Sequence, residues 1–202
     1  VSQVVSDAGE SIKCHVHTNT AWEVFEHVSE IGRLVSQKTD DMLRQYYLEH
    51  TAGGPLVILA DSGSDLPQEL IDSLGIDVVP LNLVIAGHSY LDRIELSTRQ
   101  FFALDGKKST AQPSVGVVKL RLEALLEKYE KVLIISLASA LSGTFQSYQQ
   151  AIKLLQAEDR VLLVDSKQNS VSLGLLVLNA ARALAAGEPV EKIQAQAEAQ
   201  AD

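Results

Sequence analysis

The chain has 202 residues, 46% hydrophobic and 21% charged, an ordinary globular balance with room for about one to two domains. Its formal net charge of −9 excludes a duplex nucleic-acid binder, which needs a basic face to neutralise phosphates. A single cysteine, Cys14, excludes an internal disulfide framework and is the usage expected of a reducing cytoplasm; no apolar run approaches the roughly 18 residues of a membrane span.

In chain order, strand-like sequence begins almost at Val1, and "SIKCHVHT" reads as a strand. "AWEVFEHVSEIG" predicts a short helix stopped by Gly32, "RLVSQKT" a second strand and "DDMLRQYYLEH" a second helix. The paired glycines and proline of "HTAGGP", residues 50–55, mark a boundary, giving units 1–52 and 53–202. The first unit is too small to bury a core alone and reads as the tail of a domain whose body lies upstream. After the boundary, strand and helix alternate. "PLVILA" is an apolar strand, and "DSGSDLPQELIDSLG" a turn leading into a helix, with Asp65 and Gln68 spaced as a capping box. "IDVVPLNLVIAG" reads as one strand with an edge or bulge at Pro80. "STRQFFALD" and "SVGVVKLRLEALLEKYE" are helical, the second starting near Ser114. "KVLIIS" is the most buried-looking strand; the helix "SGTFQSYQQAIKLLQA", the strand "RVLLVDS" and the apolar helix "SVSLGLLVLNAARALAAG" follow. The last segment, "QAQAEAQAD", stops inside a helical pattern, so a fragment cut at both ends from a longer polypeptide is expected. Continuous apolar strands separated by helices predict an α/β fold with a parallel, helix-covered sheet.

In such a sheet ligands bind outside the carboxyl ends of the strands. Three loops there are rich in hydroxyls: Asp61 to Asp65, Ser136 to Thr144, and Asp165 to Ser170; "KKSTAQPS", residues 107–114, has the same chemistry in front of a helix. Unsatisfied N–H groups at a helix start, a glycine at Gly143 and flanking hydroxyls suit an anion such as a carboxylate or phosphate. The alternative is that Ser142 and Ser114 only cap their helices. Asp61 and Asp65 can be read as a cation pair or as turn caps. No P-loop and no G-x-S-x-G elbow is present. His88 is the one histidine after the boundary, which leaves a serine nucleophile without a base. On the strand "HVH", His15 and His17 share one face. They read as a hydrogen-bonded structural pair or as two ligands of an incomplete zinc site.

The motifs "VILADSGSDLP", "VVPLNLVI", "STAQPS", "ISLASALSGTFQS" and "VDSKQNSVSLG" resemble, in order and spacing, the DegV family of bacterial proteins that bind a long-chain fatty acid. The resemblance runs from about Leu56 to the end, roughly the first half of a complete DegV chain. It implies a fatty acid between two domains, its carboxylate held at Thr110 and at the Ser142, Gly143 and Thr144 turn, with Asp61, Ser62 and Ser139 lining the pocket. Ala111 departs from the family's serine in "TSQPS", and the family's further arginine and histidine would fall beyond Asp202.

"SIKCHVHTNTAWEVFEHVSEIGRLVSQKTDDM" is similar to the end of the middle region of a fatty acid kinase component that follows a dihydroxyacetone-kinase-like domain. That similarity implies zinc at His15 and His17, with a cysteine ligand upstream of Val1. Together the halves imply a kinase–carrier fusion, in which this chain presents a fatty acid for acyl-phosphate formation, and truncated apolar surface that invites a homodimer. The rival expectation is a small-molecule phosphotransferase or hydrolase using Ser142 or Thr144, its base outside the chain.

Overall fold

A computed structural model describes residues 2–7 and 9–201. The core is a four-stranded sheet built from β3 (Gly54–Asp61), β4 (Asp77–Val79), β8 (Tyr129–Ser136) and β9 (Val161–Asp165). Its order is β4-β3-β8-β9 and every neighbouring pair is parallel. β3 and β8 are central, and their inner residues Val57, Ile58, Leu59, Ile134 and Ile135 are buried on both faces. This is why they read as unbroken apolar runs. Helices α3 (Gln68–Ser73), α7 (Ser170–Ala185) and α8 (Val190–Ala201) cover one face, packing on Leu56, Ile58 and Ile135. α5 (Val115–Leu126) and α6 (Thr144–Leu155) cover the other, packing on Val57, Leu59 and Ile134. The parallel α/β expectation holds.

Two smaller sheets accompany it. β1 (Ser2–Asp7) and β2 (Ile12–His17) form an antiparallel ribbon, followed by α1 (Ala21–Ile31) and α2 (Met42–His50). β5 (Asn82–Ile85), β6 (His88–Leu91) and β7 (Lys108–Ala111) form an antiparallel sheet in the order β6-β5-β7, with α4 (Thr98–Ala103) between β6 and β7. Its small core of Leu83, Ile85 and Leu96 is completed by Trp22, Tyr90, Phe101 and Leu104.

Three expectations change. "IDVVPLNLVIAG" is not one strand: Pro80 and Leu81 separate β4 from β5, which belong to different sheets. Pro80 has no N–H to give a ladder, and this is where the chain leaves the parallel sheet. "RLVSQKT" forms no strand. The capping box does not form at Asp65 and Gln68, because the N-cap of α3 is Pro67; Asp65 adopts a left-handed conformation (φ 51°) closing a 3-10 turn over Ser62–Ser64. The capping box instead opens α4, between Ser97 and Gln100.

α7 passes so close to that 3-10 turn that a Cβ on Gly174 would lie 2.4 Å from the Ser64 carbonyl oxygen. Alanine in a helix interior gains about 1 kcal/mol over glycine. Overpacking against a rigid backbone costs about 1–3 kcal/mol. Gly174→Ala is therefore expected to destabilise the protein, read as a lower urea midpoint; an unchanged or raised midpoint would show that α7 slides away freely.

Candidate ligand site at the carboxyl ends of the strands

From β3 the chain crosses to β4 through α3 on one face; from β8 it crosses to β9 through α6 on the other. The crossovers diverge between β3 and β8, so their carboxyl ends frame a topological switch point, the place where open α/β sheets bind ligands. Asp61 ends β3 and Ser136 ends β8.

Asp61 closes the base of this crevice. Its carboxylate accepts hydrogen bonds from the Leu137 amide at 2.8 Å and the Gly63 amide at 3.1 Å, and it is fully buried. Burial pushes its pKa up to about 6 against the opposing pull of those two N–H donors. Ser62, also buried, accepts from the Leu81 amide at 3.0 Å and hydrogen-bonds the Asp92 carboxyl, which burial raises and Ser62 lowers. On the next loop the Ser139 amide donates to Asp165 at 3.0 Å and its hydroxyl donates to the other carboxylate oxygen. Burial acts to raise the Asp165 pKa, but the bonds from Ser139 and the Lys167 amide hold it below the usual carboxylate range. The polar groups of Asp61, Ser62 and Ser139 are thus engaged in tying the strand ends together.

Ser142, Gly143 and Thr144 open α6. Its N-cap is Gly143 with no side-chain cap; the Ser142 hydroxyl, one residue earlier, accepts from the Thr144 amide at 3.2 Å and lies 2.8 Å from the Thr144 hydroxyl. Ser114 behaves differently. Its hydroxyl accepts from the Val117 amide and caps α5 conventionally.

Thr110 lies on β7, exposed and paired with Leu83 of β5, where the loop reading of "KKSTAQPS" did not place a strand. Two residues on, Gln112 carries this segment onto the start of α6: its amide donates to the Ser147 hydroxyl at 3.2 Å, and a Cβ on Gly143 would sit 1.6 Å from its Oε1. The "TAQPS" segment and the "LSGT" turn therefore meet over the crevice. Gln112 is the residue that sequence reasoning missed; its position inside the threonine motif was the available signal. Leu141 beside the turn, Val117 and Leu120 on α5, and Val171 and Leu175 on α7 are exposed apolar side chains, whereas most of both helices' apolar residues are core.

His15 and His17 lie on one face as expected, their Nε2 atoms 3.1 Å apart and their rings edge to face. That spacing fits either a shared proton or two nitrogens turned on one ion, but among the described residues no group of three histidine, cysteine, aspartate or glutamate side chains could hold a metal. No helix of the described residues is long and apolar enough to cross a membrane.

The sheet order, the switch point and the uncapped helix start define a doubly wound α/β ligand-binding domain. Residues 55–202 match the DegV family model, so the chain belongs to the DegV family, and residues 2–48 match the middle domain of FakA-like fatty acid kinases. A DegV domain-containing protein of Caldanaerobacter subterraneus is 36% identical over 141 residues, 68% of this chain and 50% of that protein. A fatty-acid-binding DegV family protein of Thermus thermophilus has 31% identity and a TM-score of 0.66, over 73% of this chain and 53% of that one. DegV of Bacillus subtilis, a fatty acid binding protein, has 27% identity and a TM-score of 0.66, over 73% and 54% of the two chains. The chain spans about half the length of the relatives it matches.

Proposed function

We propose that this chain binds a long-chain fatty acid by its carboxylate and presents it to a kinase domain on the same polypeptide for acyl-phosphate formation. The observation that carries the reading is the start of α6 at the switch point, uncapped at Gly143, with the Ser142 and Thr144 hydroxyls beside it and the Thr110 segment packed over it. The free N–H groups and partial positive charge of a helix start favour a carboxylate, and the two hydroxyls can turn to donate to it. Thr110 would complete the cradle. The exposed Leu141, Val171 and Leu175 offer apolar surface for the start of the acyl chain. The fatty-acid-binding relatives support the ligand class. The kinase-like match at residues 2–48 supports the division into units 1–52 and 53–202 and the hand-over to a kinase. A neutral cradle leaves the carboxylate chemically accessible, whereas a lysine would compete for its charge during phosphoryl transfer.

Native mass spectrometry of this chain and of the longer protein, beside a denatured control, tests the ligand. A fatty-acid adduct is expected, and a bare longer protein overturns the proposal. Each hydrogen bond to a carboxylate contributes about 1.5–3 kcal/mol, so Thr110→Ala with Ser142→Ala is expected to weaken retention by at least about tenfold. If Ser142 were instead the nucleophile of a hydrolase or phosphotransferase, Ser142→Ala would abolish turnover and leave affinity unchanged. The partners Ser142 has, the amide and hydroxyl of Thr144, support the binding role.

A further inference from the structure

The segment between α1 and α2 has no regular structure, yet it is fastened to the DegV-type unit at several points. The Gln37 side-chain amide donates to the Ser89 carbonyl of β6 at 2.7 Å. The Thr39 hydroxyl donates to the Glu95 carboxylate at 2.5 Å. Glu95 is 5% exposed, and its other oxygen accepts from the Leu91 amide at 2.6 Å. In α2 the Arg44 guanidinium donates to the Ile76 carbonyl and, at 3.0 Å, to Asp77. Asp77 is 1% exposed and also receives the Arg121 guanidinium through two bonds, at 2.6 and 2.9 Å. Past α2, Gly53 runs so close to the start of β8 that a Cβ there would lie 1.9 Å from the Lys128 carbonyl oxygen. Trp22 of α1 meets Tyr90 of β6 edge to face at 5.8 Å.

β4 is the edge strand of the parallel sheet, and an uncovered edge is an aggregation hazard that proteins blunt with a covering segment. Two buried carboxylates along this flank take donors from both units, and removing one partner of a buried charge is far costlier than removing an exposed one. A flexible tether would expose its polar groups to water and leave Asp77 and Glu95 to the DegV-type unit alone.

We propose that residues 37–44 are a docking strap that fixes the kinase-like unit to the β4 edge and the β5–β6–β7 sheet, with Asp77 and Glu95 as its buried anchors. The junction is then a rigid joint, and the ligand crevice is held at one fixed geometry relative to whatever the kinase-like unit carries.

Spin labels at Gln45→Cys in α2 and Lys153→Cys in α6, both exposed positions, in a Cys14→Ser background, report the joint directly through their pulsed dipolar distance distribution. One narrow distribution is expected, broadening when Thr39→Ala and Arg44→Gln are added. Lys38→Ala, which removes an exposed pair with Asp40, is expected to leave it narrow. If the double variant loses its circular dichroism, Arg44→Gln alone, which leaves Asp77 with Arg121, reads the same effect. A broad distribution in the parent overturns the proposal, as does one that stays narrow without the anchors. No lipid enters the measurement, so its outcome is independent of the ligand.

Discussion

Raising the pH from about 4 to about 7 is expected to lower the unfolding free energy by about 3 kcal/mol through the ionisation of Asp61 alone. In the folded chain burial holds this carboxyl up to about 6, against an ordinary value of 3.8. Between those values the folded state keeps a proton that the unfolded state has released. Stability from this group is therefore fully present below the ordinary value and is lost as pH rises through the folded one. Asp92, also raised, acts in the same direction, and Asp165, lowered, acts in the opposite one. Comparison with Asp61→Asn isolates the effect: urea midpoints of the variant at pH 4.5, 5.5 and 7 are expected to lack the fall seen in the parent. A variant with the parent's slope would mean that the Leu137 and Gly63 amides outweigh burial and keep Asp61 ionised throughout. The consequence reaches the site, because Asp61 joins the loop after β3 to the loop after β8, the two sides of the crevice.

What could be read in the sequence follows from the range of the forces involved. "PLVILA" and "KVLIIS" declared themselves because a strand buried on both faces must be apolar throughout. The ribbon strand "IKCHVH" was legible through its alternation, and the helix starting after Ser114 through its cap. β6 and β7 were not legible. "HSYL" and "KSTA" are short, half-exposed and polar, and become strands only because β5 lies between them. The strap over residues 37–44 was mistaken in part for a strand, since its partners Ser89, Glu95 and Asp77 lie dozens of residues away. At the site, the residue types were visible but their engagements were not. Ser62, Ser139 and Ser142 look alike in sequence, yet Ser62 and Ser139 bond to carboxylates, whereas Ser142 bonds to the Thr144 hydroxyl and amide at the start of α6.

Tyr148→Ala is expected to lower the unfolding free energy by about 3–5 kcal/mol, the cost of deleting a large buried aromatic ring. Tyr148 is fully buried on α6 among Val57, Leu59, Val118 and Leu122, and it holds the helix onto the sheet. It also lies one turn after Thr144, on the same face of the helix. Loosening it should carry the helix start out of register with Gln112 and Thr110, so lipid retention should fall along with stability. Tyr148→Phe separates the ring from its hydroxyl. The hydroxyl is buried without a partner among the described residues, and burial, then the nearby Asp61 and Asp77 charges, push its pKa well above the ordinary value, so it stays a neutral and unanswered donor. An unmet buried polar group costs about 1–3 kcal/mol, so Phe is expected to raise the urea midpoint while leaving lipid retention unchanged. A Phe variant less stable than the parent would reveal a buried partner at that hydroxyl, and the interior beneath the crevice would then contain water.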